Sequence, residues 1–437
     1  MNLKSIILAG REILPLVEGG KGIGVSNGKT SGAWALEGGM GTFSGVMPDL
    51  IEKGSLTAPL IRGESREKRQ DELLRQGVKG CLDQAALAHE TSSGRGLIAM
   101  NILWEQGRAQ ELLTRVLERA KGTIKAISCG AGMPFKLAEI CAANKIFYNP
   151  IVSSARTFQL LWKRSFFRFK DWIGAVIYED PWIAGGHNGL SNSDDPHKPE
   201  SPLARLKEIR KYMNEIGLAA VPIIIAGGVW WLSEWAPYID NPEIAPVAFQ
   251  FGTRPMVTQE SPLHENMKKK LMSVEKDGVK LQKFSPTGFY SSAVKNKFLK
   301  GLEENLARQA DPNDQVAIDR LVAAGFTKHI KLPDGELLFM TEAQHETAVS
   351  DMRNCAGCLS ACLFSAFDQR GTLGLKPDAR SFCIRRALDE AVHGSDPENV
   401  LLFSGHVAHR FKNDPFYKGG AFIPTIKELI ARIMTGF

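Results

Sequence analysis

The chain has 437 residues, 43% hydrophobic and 23% charged, the make-up of an ordinary soluble globular protein that can bury a large core without cross-links. Its 54 Lys and Arg against 48 Asp and Glu leave a net charge of +6, too weak and too dispersed to argue for a nucleic-acid partner, though it admits mild attraction for anionic substrates. Seven cysteines exclude a disulfide scaffold, and no run of roughly 18 apolar residues is present to span a membrane.

The apolar run before Arg11 and Glu12 is short and reads as a strand entrance rather than a signal peptide, so cytoplasm is the expected compartment. Eight short apolar runs then follow: Ile13–Gly19, Gly39–Gly45, Leu97–Leu103, Ile124–Cys129, Ile146–Val152, Ile173–Tyr178, Val221–Ala226 and Val247–Phe251. Continuous rather than alternating apolar runs suit strands buried on both faces. Helical stretches such as Arg108–Ala120 and Pro202–Ile216 separate most of them. This eightfold strand–helix alternation predicts an α/β fold, a closed (β/α)8 TIM barrel over residues 1–262. A doubly wound sheet competes, but it predicts one ligand site at a switch point, whereas here Gly-rich turns follow many strands.

Two stretches break the alternation. Residues 48–95 are charged and helical in pattern and read as an insertion after the second strand. Residues 188–203 are polar and Pro-rich, a loop long enough to serve as an active-site lid. Residues 263–437 are expected to form a helical C-terminal region, with helices starting at His264, spanning Val294–Arg308 and Gln315–Ala324, and ending in the amphipathic FIPTIKELIARIM.

The strand ends carry the chemistry. Gly19, Gly20, Gly22 and Gly24 let a flat ligand or a phosphate approach the backbone; a tight turn is the plainer reading. Neither a dinucleotide fingerprint nor a Walker A loop fits there, because the glycine spacing fails and Ile23 stands where Walker A needs Gly. Gly227–Gly228 and Gly252–Thr253 follow the seventh and eighth strands, where barrels hold phosphates with backbone N–H groups; Arg254 could add charge. Gly185, Gly186 and Gly189 flank His187 on what reads as a flexible, exposed turn at the barrel mouth. With an ordinary pKa near 6.5, His187 is the candidate catalytic base. Asn101 ends the third strand and could bond a flavin edge or ribityl chain. Cys129 is explained equally well by packing.

These segments, in this order, resemble the nitronate monooxygenase family, also called 2-nitropropane dioxygenases. The matching stretches are GGKGIGVS, LEGGMGTFSG, AMNIL, ISCGAGMPFKLAE, NPIVSSAR, IAGGHNG, IIIAGGV and FQFGTR, over residues 14–262. The resemblance implies an FMN-binding barrel that oxidises a nitronate or nitroalkane with dioxygen. In it Gly19, Gly20, Lys21, Asn101, Gly185 and Gly186 would border the cofactor, Gly227, Gly228, Gly252 and Thr253 would hold its phosphate, and His187 would match the family's catalytic His. Glu18-Gly-Gly-Lys21 departs from the family's usual Gln-Gly-Gly-Met and puts charges beside the flavin. Related barrels reduce enoyl thioesters, so an FMN-dependent reductase is the alternative. Nucleic acid and membrane are not expected partners, and a homodimer is left open.

Cys355, Cys358 and Cys362, with Cys383 further on, have spacings that could gather thiolates around one metal. A [4Fe–4S] cluster is read ahead of zinc, because it could pass electrons to a flavin; buried cysteines in a helical hairpin are the plainer alternative.

Overall fold

Eight short strands close into a parallel barrel in which every stave pairs with its neighbours in sequence: β1 (Leu16–Glu18), β2 (Met40–Ser44), β3 (Leu97–Leu103), β4 (Ala126–Gly130), β5 (Phe147–Val152), β6 (Val176–Glu179), β7 (Ile223–Ala226) and β8 (Val247–Phe251). The computed structural model describes residues 3–48, 61–120, 122–191, 193–287, 289–332, 335–359 and 382–437. The helices between staves are α1 (Gly28–Leu36), α2 (Arg66–Ser92), α3 (Ala109–Ala120), α4 (Leu137–Ala143), α5 (Ala155–Arg164) and α6 (Pro202–Glu215).

The period-two geometry of a strand divides each stave between two cores. Val17, Met40, Ala99, Ala126, Ile177, Ile224 and Ala248 fill the barrel interior. Alternate residues such as Ile98, Ile127, Tyr178, Ile225 and Phe249 pack outward against the helices. Burial on both faces is why the staves read as unbroken apolar runs. An antiparallel hairpin, Ile6–Leu8 with Arg11–Ile13, adds Leu8, Ala9 and Ile13 to the inner core. The interior therefore stays dry at that end, and its polar residues gather at the opposite, C-terminal rim.

The expected insertion is the barrel's own crossover: α2, 27 residues long, joins β2 to β3 and packs on α1, while residues 49–60 lie outside the described residues. Ser65 caps its start by accepting from the Lys68 N–H, and Ser93 ends it in the left-handed conformation.

The C-terminal region is not wholly helical. Val279–Gln282, Ser291–Val294 and Gly186–His187 form one antiparallel sheet; Gln309–Ala310, Lys328–Lys331 and Leu337–Met340 form another. Strands this short, with partners far off in sequence, leave no periodicity to read. Nor does the chain divide cleanly at residue 262. The last helix, Ile426–Met434, packs on α1, and its Ile426, Leu429, Ile430 and Ile433 belong to the barrel's outer core. Residues between β8 and this helix are thus a long excursion over the barrel mouth. No described helix is long and apolar enough to cross a membrane.

Candidate active site

One cavity of about 580 Å³ opens at the C-terminal rim of the barrel. Gly19, Gly20, Lys21, Asn101, Gly185, Gly186, His187, Gly227, Gly228, Gly252 and Thr253 all line it, brought together from β1, β3, β6, β7 and β8. The backbone is shaped for close approach. A Cβ on Gly20 would fall 2.3 Å from Cβ of Asn101, whereas one on Gly252 would meet nothing within 4 Å. Gly227 and Gly228 take φ values of +89° and +79°, conformations that side chains resist.

Polar atoms stand unanswered on this rim. Asn101 donates through Nδ2 to the Gly20 carbonyl at 3.2 Å, but its buried Oδ1 and the Oγ of Ser128 have no partner among the described residues. Both side chains line the cavity. Since buried polar groups are normally hydrogen-bonded, each orphan marks a place for a ligand or water atom.

Lys21 faces the cavity but is tied down: Nζ donates to Glu18 Oε1 at 3.1 Å and to the Gly19 carbonyl at 2.6 Å. Burial pushes the ammonium below its usual pKa, against the pull of Glu18.

His187 does not stand on an exposed turn. Residues 186–187 are an edge of the small sheet, pairing with Ser292 and Ser291. Nε2 lies 2.8 Å from Ser285 Oγ and 3.1 Å from Thr287 Oγ1, and the ring meets Phe403 and Phe289 edge-on, at 5.4 and 6.4 Å between centroids. This dry setting lowers its pKa from 6.5 to about 4, so it is neutral at pH 7. The ordinary value expected from sequence is thus corrected by desolvation.

Two cavity carboxyls escaped the sequence reading. Burial raises Glu105 to about 7; burial and then Asp180 raise Glu179 to about 8. Glu179 is the last residue of β6 and shares a barrel layer with Ala226 and Gln250. A carboxylate closing an otherwise apolar strand was the available signal. Ser285, Thr287 and Phe403 gave none.

Arg254 is also corrected. It is absent from the cavity wall and fully buried, donating through Nε to Tyr417 at 3.2 Å and through Nη1 to the Trp230 carbonyl at 2.9 Å, with Asp414 at 3.8 Å. Trp230 and Trp231 also donate to Asp414. This network fastens the excursion to the barrel.

The loop over residues 188–203 is latched by Arg205, which pairs with Asp194 at 3.0 Å and Glu200 at 2.8 Å and stacks over Trp182.

The metal reading of the cysteines gains no support. Among the described residues no group of three His, Cys, Asp or Glu could hold a metal ion; Cys362 lies outside them. Cys355, Cys358 and Cys383 pack in an apolar cluster with Leu359, Phe382 and Ile384.

A Gly-rich barrel rim thus faces, across one open cavity, a His that burial keeps neutral. The sequence model of the family described as nitronate monooxygenase matches residues 10–435. The chain belongs to the nitronate monooxygenase family. It is therefore an oxidoreductase. No curated protein matches it. Among solved structures, the enoyl reductase domain of MlnA from Bacillus amyloliquefaciens is 13% identical at a TM-score of 0.58, covering 97% of this chain and 93% of that one. FabK from Thermotoga maritima is 16% identical at 0.56, covering 97% and 92%. Nitroalkane oxidase from Streptomyces ansochromogenes is 13% identical at 0.56, covering 97% and 95%. At such identity these likenesses speak for the fold, and they extend it across the excursion.

Proposed function

We propose that this member of the family is an FMN-dependent enzyme that oxidises alkyl nitronates with dioxygen. The carrying observation is the cavity in which the glycine rims of β1, β7 and β8 meet His187. The residues fit a flavin phosphate. Gly227, Gly228, Gly252 and Thr253 line the cavity at the ends of β7 and β8, and a Cβ on Gly252 would meet nothing within 4 Å, so an anion can approach the backbone there. Asn101 Oδ1 and Ser128 Oγ, without a partner among the described residues, suit a polar ring edge or sugar chain. When bound, a flavin supplies the two-electron relay between substrate and dioxygen.

The protein's own share is to select and orient the substrate. His187 is neutral, so one ring nitrogen carries N–H and can donate to a nitronate oxygen. As a base it is weak: lowering its pKa to about 4 moves it away from the neutral range in which proton abstraction from carbon is most efficient. The substrate therefore enters as the anion, already deprotonated at carbon. Glu105 and Glu179, raised toward and above neutrality, limit repulsion of that anion. One nitronate, one dioxygen and one water give one aldehyde, one nitrite and one hydrogen peroxide. Two electrons leave the substrate carbon and two arrive on dioxygen.

The test is anaerobic. Purified protein should show a flavin spectrum that bleaches with nitronate and not with NAD(P)H. Bleaching by NAD(P)H alone would assign it to the reductases.

A further inference from the structure

The cavity has two unlike sides. The barrel rim is polar and built of glycines. The other side is apolar: Met47, Leu103, Leu359, Ile384, Leu388 and Phe403 line it and belong to one hydrophobic cluster. Ile384, Leu388 and Ala391 come from one face of the helix Ile384–His393, at positions i, i+4 and i+7. This wall reaches His187, because Phe403 is one of the two aromatic rings packed against it. Phe403 also belongs to the strand-bridged segment that pairs with Ala293.

Charge is lacking where a charged tail would need it. Among the described residues Lys21 is the only Lys or Arg lining the cavity, and its ammonium is already spent on Glu18 and the Gly19 carbonyl. A carboxylate tail would lose its hydration and find no cation, whereas a hydrocarbon tail would find a ready-made apolar surface.

Resting on the nitronate reading of the same site, we propose that the substrate is a nitronate with an uncharged alkyl tail of several carbons, laid along the Met47–Leu103–Leu359–Ile384–Leu388 wall with its nitronate end at His187. Short nitronates and those ending in a carboxylate are poor substrates. Specificity thus comes from a wall that the excursion and the barrel rim build together, with Leu359, Ile384, Leu388 and Phe403 from the excursion and Met47 and Leu103 from the barrel.

The test compares nitronates of nitroethane, 1-nitrobutane and 1-nitrohexane with the nitronate of 3-nitropropionate, following anaerobic bleaching of the protein's flavin. Each methylene buried on the wall should raise the apparent second-order rate about fourfold, until the wall is filled. The 3-nitropropionate anion should fall below nitroethane. Leu388→Gln should flatten the dependence on length, and Leu388→Phe, which only shortens the space, should shift the optimum to a shorter chain. A flat or falling dependence in the native protein, or preference for the carboxylate, overturns the proposal. If no nitronate of any length bleaches the flavin, the nitronate reading fails by itself. The wall is then tested with inert straight-chain carboxamides by calorimetry: affinity must still tighten with length, and if it does not, the tail assignment fails as well.

Discussion

The two sides of the cavity are made in opposite ways. The rim is local: each glycine turn directly follows its own stave, and its form is set by backbone conformation, as at Gly20, Gly227 and Gly228. The wall is assembled from side chains scattered between Met47 and Phe403, and its form is set by packing. Backbone-built surfaces tolerate little change, because a single Cβ can fill them. Packed walls can be redrawn by exchanging one apolar side chain for another of different size. A barrel of this kind can therefore keep its cofactor chemistry while changing its substrate.

The contrast can be broken at the fastening between the two sides. Asp414→Ala removes the acceptor shared by Trp230 and Trp231 and leaves Arg254 buried without its counter-ion. Stability to urea should fall by about 3–5 kcal/mol; a fall under 1 kcal/mol would mean that the excursion is held by apolar packing alone. At the junction of rim and wall, His187→Ala should lower kcat/KM for nitronates by about 10²–10³-fold, the usual worth of one well-placed donor. His187→Asn, which keeps an N–H, should recover part of that loss. On the rim, Gly20→Ala forces a methyl against Asn101 and should cost about 1–3 kcal/mol in the thermal melt, together with bound flavin.

The smallest effects are in pH dependence, and they have opposite signs. The folded pKa of His187 is about 4, below 6.5, so the unfolded chain takes the proton first. Its contribution to stability is intact above about 6.5 and is lost as pH falls toward 4. Glu179 stands at about 8, above 4.5, so its contribution is present at low pH and is lost as pH rises through 8. Relative to the native protein, His187→Gln should gain stability as pH falls from about 6.5 to 4, and Glu179→Gln as pH rises from about 4.5 to 8. Parallel curves for all three proteins would refute both assignments.

Much of this architecture is legible in the sequence. All eight apolar runs coincide with staves, because strands buried on both faces cannot hide among polar residues. The rim glycines are legible for the same reason: each is tied to the end of its own strand. What escaped depends on distance along the chain. Ser285, Thr287, Ser291 and Phe403 meet His187 only after the excursion folds back over the mouth, and no local pattern announces that. The lowered pKa of His187 is a product of the same enclosure. The small sheets were missed because strands of two to four residues are too short for alternation to register. Arg254 reads as a phosphate ligand by position, yet its side chain turns away into the second core, where Tyr417 and Asp414 wait from the far end of the chain.

The return of Ile426–Met434 to α1 also sets what can be separated from what. A polypeptide stopped at residue 262 would keep all eight staves but expose the greasy stripe of α1 that this terminal segment covers. It should aggregate or stay molten rather than yield an independent barrel. The roof over the mouth and the outermost layer of the cylinder therefore ripen together, and a nascent chain has no finished pocket until the segment Ile426–Met434 has been made.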